Sequence, residues 1–165
     1  MSVDTSVIGA RTGAWRVTVE RAPIANFARV LGDTNPVLAD TPAPPTFSFV
    51  MAYWGAYPED QPPDPAPSNP TASDQTAGTN PMHRIMGELH AKGALVLHGE
   101  QEFVYHRPIV SGDVLDGEQS ITDMYEKETD AATMTFVVME TRWNDAKNGE
   151  PVVTERFNLI ARLRK

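Results

Sequence analysis

The apolar positions change period twice within the first third of the chain. Trp15, Val17 and Val19 recur every second residue over Ala14–Val19, which predicts a first strand. From Arg21 the spacing becomes helical, with Ile24, Phe27, Ala28 and Leu31 on one stripe. Pro23 suits the first turn of that helix and Gly32 its C-terminal cap, giving about three turns. A polar loop, Asp33-Thr34-Asn35-Pro36, and a proline-rich turn, Pro42 to Pro45, follow. They lead into the most apolar run of the chain, Thr46 to Trp54, which has no polar face apart from Ser48. That pattern predicts a helix from about Pro45 to Trp54, stopped near Gly55 and wrapped by other structure on all sides.

Beyond it the pattern dissolves. Tyr57 to Pro81 holds seven of the fourteen prolines, with polar residues between them, and reads as an insertion without a core of its own. Met82 to His90 suits a short helix interrupted by Gly87. From Gly99 the alternation is strand-like, with Gln101, Phe103 and Tyr105 on one side, until Pro108 ends the run. Val114–Tyr125, Ala131–Trp143 and Val152–Leu163 read as three more strands, the last two joined by the Asn148-Gly149 turn. In the last strand Val153, Phe157, Leu159, Ala161 and Leu163 share a face. One strand, two helices, a long loop and a four-stranded antiparallel meander make an α+β pattern. The expectation is one domain over 1–165 with an insertion at about 57–82, its sheet covering the apolar helix.

Composition narrows the chemistry. A chain of 165 residues with 41% hydrophobic content can bury a real core. The net charge of −8 argues against a general nucleic-acid or anionic-membrane surface, while leaving room for a local basic pocket. With no cysteine, disulfides, thiolate metal sites and cysteine nucleophiles are excluded. The histidines lack ligand spacing beside a carboxylate pair, so no metal site is expected. The opening MSVDTSVIGA does not read as a signal peptide, and no run of about 18 apolar residues offers a membrane span. The expected setting is therefore cytoplasmic.

Two stretches carry a family resemblance. Phe27, Gly32, Asp33, Asn35, Pro36 and Val37 match a signature in which an aromatic residue precedes Gly-Asp-x-Asn-Pro and an apolar residue. Phe103 to Leu115 (FVYHRPIVSGDVL) resembles a strand entering a Pro-x-x-x-Gly-Asp turn, and Ala43-Pro44-Pro45-Thr46-Phe47 lies between the two in the expected order. On these residues the chain resembles the MaoC-like (R)-specific enoyl-thioester hydratases and dehydratases. Within them it is similar to the FAS1-like dehydratase domains, a branch that includes non-catalytic subunits of mycobacterial-type hydroxyacyl dehydratases. The resemblance implies a single hot-dog domain, an antiparallel curved sheet wrapped around one buried central helix. It implies no cofactor, an acyl-CoA or acyl-carrier-protein thioester as substrate, and a homo- or hetero-dimer formed through sheet edges.

Hydration of an enoyl thioester needs a water aimed at C3, a proton for C2 and donors for the thioester oxygen. The family holds that water with an aspartate and a histidine five residues later. Here Asp33 stands at the aspartate position, but Leu38 stands where the histidine belongs. At the mouth of the central helix, Pro45 has no N–H to offer the oxygen, which leaves Thr46 or Phe47 as donors. Asp33 has a structural alternative, closing the turn with Asn35. His98, in Leu97-His98-Gly99 ahead of the predicted strand, is the replacement candidate for the missing base. His83, His90 and His106 are expected at the surface or in structural roles. The candidate catalytic pair is thus Asp33 and His98, with Asn35, Thr46, Phe47 and Gly99 near the substrate and Arg84, Lys92 and Arg107 as possible phosphate contacts.

Three functions follow from the resemblance. The first is a non-catalytic, substrate-binding partner of a catalytic MaoC-type chain. The second is an active homo-oligomeric hydratase using Asp33 and a relocated histidine. The third is an acyl-thioester-binding module without turnover.

Overall fold

A computed structural model describes residues 4–61 and 80–165. Five strands form one antiparallel sheet: β1 (Arg11–Thr18), β2 (Leu95–Tyr105), β3 (Val114–Glu128), β4 (Ala132–Asp145) and β5 (Pro151–Arg164). Their order is β1-β3-β4-β5-β2. Only β3, β4 and β5 are a meander; β2 crosses over to lie beyond β5, and β1 flanks β3. The expected meander of four is corrected in this respect. The α+β hot-dog architecture is the observed one.

Helix α1 (Arg21–Val30) buries Ile24 and Ala28 and ends as its sequence demands. Gly32 adopts φ +85°, the Gly32 N–H donates to Arg29 O (3.0 Å) and the Asp33 N–H to Ala28 O (3.0 Å). These are the paired bonds of a Schellman cap, and the left-handed residue at its centre favours glycine.

The apolar run is where expectation and structure part. Residues 47–55 follow a helical path, but as a 3-10 turn (Phe47–Phe49) and a four-residue helix, α2 (Ala52–Gly55). The links are largely of i→i+3 type, such as Val50 N–H to Phe47 O and Tyr53 N–H to Val50 O, both 3.0 Å. Phe, Val, Tyr and Trp crowd a preceding helical turn, so the run has apolarity without much helix propensity. Nor is it wrapped all round. Phe47, Ser48, Met51 and Gly55 are buried, whereas Phe49 and Trp54 are partly exposed and Tyr53 is 80% exposed.

Two apolar clusters fill the concave side of the sheet. One joins Phe47 and Met51 to Val17, Ile24, Leu115 and Trp143. The other places Ile85 and Leu89 of α3 (Pro81–Ala91) on Ile121, Val137 and Leu159. Asn80 caps α3 through Met82 N–H, in keeping with Pro81 at the first helical position.

Of the proline-rich insertion, 62–79 lie outside the described residues. Its described ends both bond to the outer edge of β1. The Gln61 side chain accepts from Arg16 N–H and donates to Arg16 O (both 2.9 Å), and buried Asn80 donates to Thr12 O (2.8 Å). No described helix is long and apolar enough to cross a membrane.

Candidate functional site

The Asp33 loop is built by the cap of α1. Asp33 Oδ1 accepts from the Asn35 N–H (2.9 Å) and from Asn35 Nδ2 (2.8 Å), closing an Asx turn at the surface. Leu38 is exposed, and its N–H donates to Thr41 Oγ1 (2.8 Å). The carboxylate is therefore engaged within its own loop, and the residue five positions on, Leu38, presents an aliphatic side chain.

Thr46 is exposed, while Phe47 is a core residue packed against Phe27 and Trp54. The Phe47 N–H is taken by Pro44 O (2.9 Å). Tyr105 fixes this entry from below, donating to Pro45 O (2.7 Å) and lying 3.3 Å from Ser48 Oγ. Burial raises the Tyr105 phenol, with the nearby Ser48 hydroxyl opposing and the charge of Glu155 adding to the shift.

His98 lies on β2 against Phe157 and Phe49, at ring-centroid distances of 4.5 and 5.9 Å. Gly99 follows at a β-bulge, where the register slips between His98 and Gln101. A Cβ there would come within 2.9 Å of Asn158 O, so close backbone approach accounts for the glycine. Among the described residues no hydrogen bond, ion pair or ring contact joins Asp33 to His98. The six candidate residues thus fall into three places: the Asp33–Asn35 loop, the Thr46–Phe47 entry and the His98–Gly99 edge.

Two of the three basic candidates are engaged in ion pairs. Arg107 bridges Asp113 (2.8 Å) and Asp145 (2.9 Å), which raise its pKa further, and Arg84 pairs with Asp4 and Glu88. The Arg107 bridge ties the Pro-x-x-x-Gly-Asp turn to β4, a structural task.

A cavity of about 260 Å³ opens between Ser48–Tyr53 and the middle of the sheet. Aromatic walls come from Trp15, Phe49, Tyr53 and Phe157, but Ser48, Gln101, Gln119, Thr141 and Glu155 also line it. Register explains the polarity. Gln119 of β3 stands opposite Thr141 of β4, which stands opposite Glu155 of β5. Thr12 Oγ1 donates to Gln119 Oε1 (2.9 Å), and Gln119 Nε2 donates to Thr141 Oγ1 (3.0 Å). A polar row therefore crosses four strands of a concave face and ends at Glu155, which is only 4% exposed.

Burial pushes the Glu155 carboxyl up to about 7, against the milder opposing pull of Ser48 and Trp143. Those two neighbours are close without forming good hydrogen bonds, since Glu155 Oε1 and Trp143 Nε1 are both buried and unpaired. Sequence reading passed over this residue. Its signal was period two: Val153, Glu155 and Phe157 alternate on one face, and a carboxylate occupies the middle of an otherwise apolar row.

With this geometry in place, comparison with known proteins sharpens the assignment. The model of the FAS1-like, dehydratase domain region matches residues 6–155. A "UPF0336 protein" of Streptomyces griseus is 29% identical over 176 residues, covering 98% of this chain and 97% of that protein. The fold is shared with the ChsH1-ChsH2 complex of Mycobacterium tuberculosis (TM-score 0.63, 17% identity, 92% of this chain and 83% of that one). It is shared too with the HadBC 3R-hydroxyacyl-ACP dehydratase complex of the same organism (TM-score 0.54, 17% identity, 96% and 99%). A family match across most of the chain, on a fold of the same kind, places this protein in the FAS1-like dehydratase domain family.

Proposed function

We propose that this chain is the substrate-binding, non-catalytic subunit of a hetero-oligomeric (R)-specific enoyl-thioester hydratase, equally a 3-hydroxyacyl-thioester dehydratase. The observation that carries this reading is the Asp33 loop. Its carboxylate is held by Asn35, and the side chain five residues on is Leu38, which can neither take nor give a proton. Loss of a positioned general base costs about 10²–10⁴ in rate, so a partner chain with an intact Asp/His pair has to supply the proton chemistry. Two of the structures that share the fold are complexes, which supports a paired assembly. The substrate is an acyl thioester of coenzyme A or of an acyl-carrier protein, the setting cytoplasmic, and no further cofactor takes part.

The two sheet edges differ in a way that favours one interface. Gln61 and Asn80 occupy backbone groups along the outer side of β1, whereas β2 presents Leu95, Leu97 and Val104 at the surface. Strand pairing through β2 would extend the sheet and place the partner beside His98 and the cavity.

Activity on crotonyl-CoA tests the reading. The purified chain alone is expected to leave the enoyl absorbance unchanged, and a catalytic MaoC-type chain that co-purifies with it is expected to restore hydration. Turnover by the isolated chain that His98→Ala or Asp33→Ala abolishes would establish an active homo-oligomer instead. Acyl-CoA binding without turnover in any pairing would establish a binding module.

A further inference from the structure

The apolar reading of an acyl tunnel does not account for the polar row across the sheet. A pocket meant for a hydrocarbon chain gains from Val, Leu and Phe and loses from a buried carboxyl. Yet Thr12, Thr141 and Glu155 are all buried, and the row runs between the two apolar clusters of the same face. Hydrogen bonds satisfy it from Thr12 through Gln119 to Thr141 and then stop.

At the unsatisfied end are four buried atoms without partners: Gln101 Nε2 and Oε1, Trp143 Nε1 and Glu155 Oε1. Their residues all line the one cavity, and Glu155 is more than nine-tenths buried. The set is mixed, since the amide nitrogen and the indole N–H donate while the amide and carboxyl oxygens accept. An organic cation would answer the acceptors and strand the two donors. A hydrocarbon would answer none, and each buried polar atom left unmet is costly. A hydroxyl group can accept from both donors and donate to one of the two oxygens, the fullest match of the three.

We propose that Glu155, Gln101 and Trp143 form a binding site for a hydroxyl-bearing acyl group, with Glu155 and Gln101 selecting the oxygenated group over a plain hydrocarbon. The thioester part of this statement rests on the function proposed above; the hydroxyl part rests on the cavity. Glu155 and Gln101 are specificity residues in this account, distinct in place from the Asp33 loop.

The test compares (R)-3-hydroxybutyryl-CoA with butyryl-CoA, which differ by one hydroxyl, in calorimetric titrations of the full chain. The wild type is expected to favour the hydroxyacyl thioester by about tenfold, the worth of one well-made hydrogen bond. Glu155→Leu and, separately, Gln101→Leu are expected to erase that preference while butyryl-CoA binds as before or better. Two variants are used so that a fold defect in one leaves the other to decide. Equal wild-type affinities, as for a cavity that holds only water, would overturn the proposal. So would a preference that survives both substitutions.

A second probe separates the two readings. 1,3-Butanediol carries hydroxyls without a thioester, and its binding is followed by the carboxyl carbon resonance of Glu155. If neither thioester binds but the diol shifts that resonance, the thioester reading fails and the hydroxyl site stands. If the diol also leaves the resonance unmoved, the site itself is refuted.

Discussion

At the scale of single residues, two carboxylates stand in opposite circumstances. Asp33 is exposed and spends its oxygen on Asn35, so replacing it is a matter of local structure. Asp33→Ala is expected to cost about 1 kcal/mol in urea unfolding, the usual worth of such side-chain-to-backbone bonds. Glu155 is buried with its pKa raised from 4.5 to about 7. The folded state therefore binds the proton more tightly than the unfolded chain does. Its contribution is fully present below about pH 4.5 and is lost as the pH rises through about 7. Over that span the shift corresponds to about 3 kcal/mol, and Tyr105 is the titratable neighbour that feels the charge. Glu155→Gln, which keeps the shape and removes the titration, should flatten the decline between pH 5 and pH 8. A decline of the same slope in that variant would assign it to other groups. The Asp33 loop was legible because a cap glycine, a proline and an Asx turn are all local features. Glu155 was not singled out, because a lone glutamate in the apolar stripe of Val153, Phe157 and Leu159 reads as an exception until the pairing of β3, β4 and β5 shows Thr141 and Gln119 beside it.

Among the elements, the short α2 and the β2 bulge shape the site. Ala14–Val19, the first helix and the three meander strands were visible in their periods, which are set by one partly solvated face each. The extent of the central helix was not. Apolarity announces burial, but here only Phe47, Ser48, Met51 and Gly55 are covered, and bulky side chains loosen the winding. The placement of β2 beyond β5 was equally hidden, since it depends on long-range pairing. At the bulge, Gly99→Ala would press a methyl group to within 2.9 Å of Asn158 O and 2.8 Å of the Ile160 side chain. Thermal unfolding is expected to show a loss of about 1–3 kcal/mol, the usual range for overpacking. A neutral outcome would mean that the edge yields easily and that close approach is not what selects glycine.

For the molecule as a whole, the two edges of the sheet differ in what they present. The ends of the insertion bond to β1 through Gln61 and Asn80, leaving β2 with the exposed aliphatic residues. Leu97→Lys is accordingly expected to shift the protein toward monomer in size-exclusion chromatography with light scattering. Arg11→Ala on β1 is expected to leave the assembly unchanged. Dissociation by the β1 substitution alone would move the interface to the other edge. The central claim, that this chain supports a reaction whose proton chemistry lies in its partner, is tested most directly inside the assembled complex. The measurement is the hydration rate of crotonyl-CoA by the complex in which this chain alone carries both Asp33→Ala and His98→Ala. A rate within about twofold of the unsubstituted complex is the predicted result, and a fall of about 10² or more, the loss expected for a general base, would contradict it.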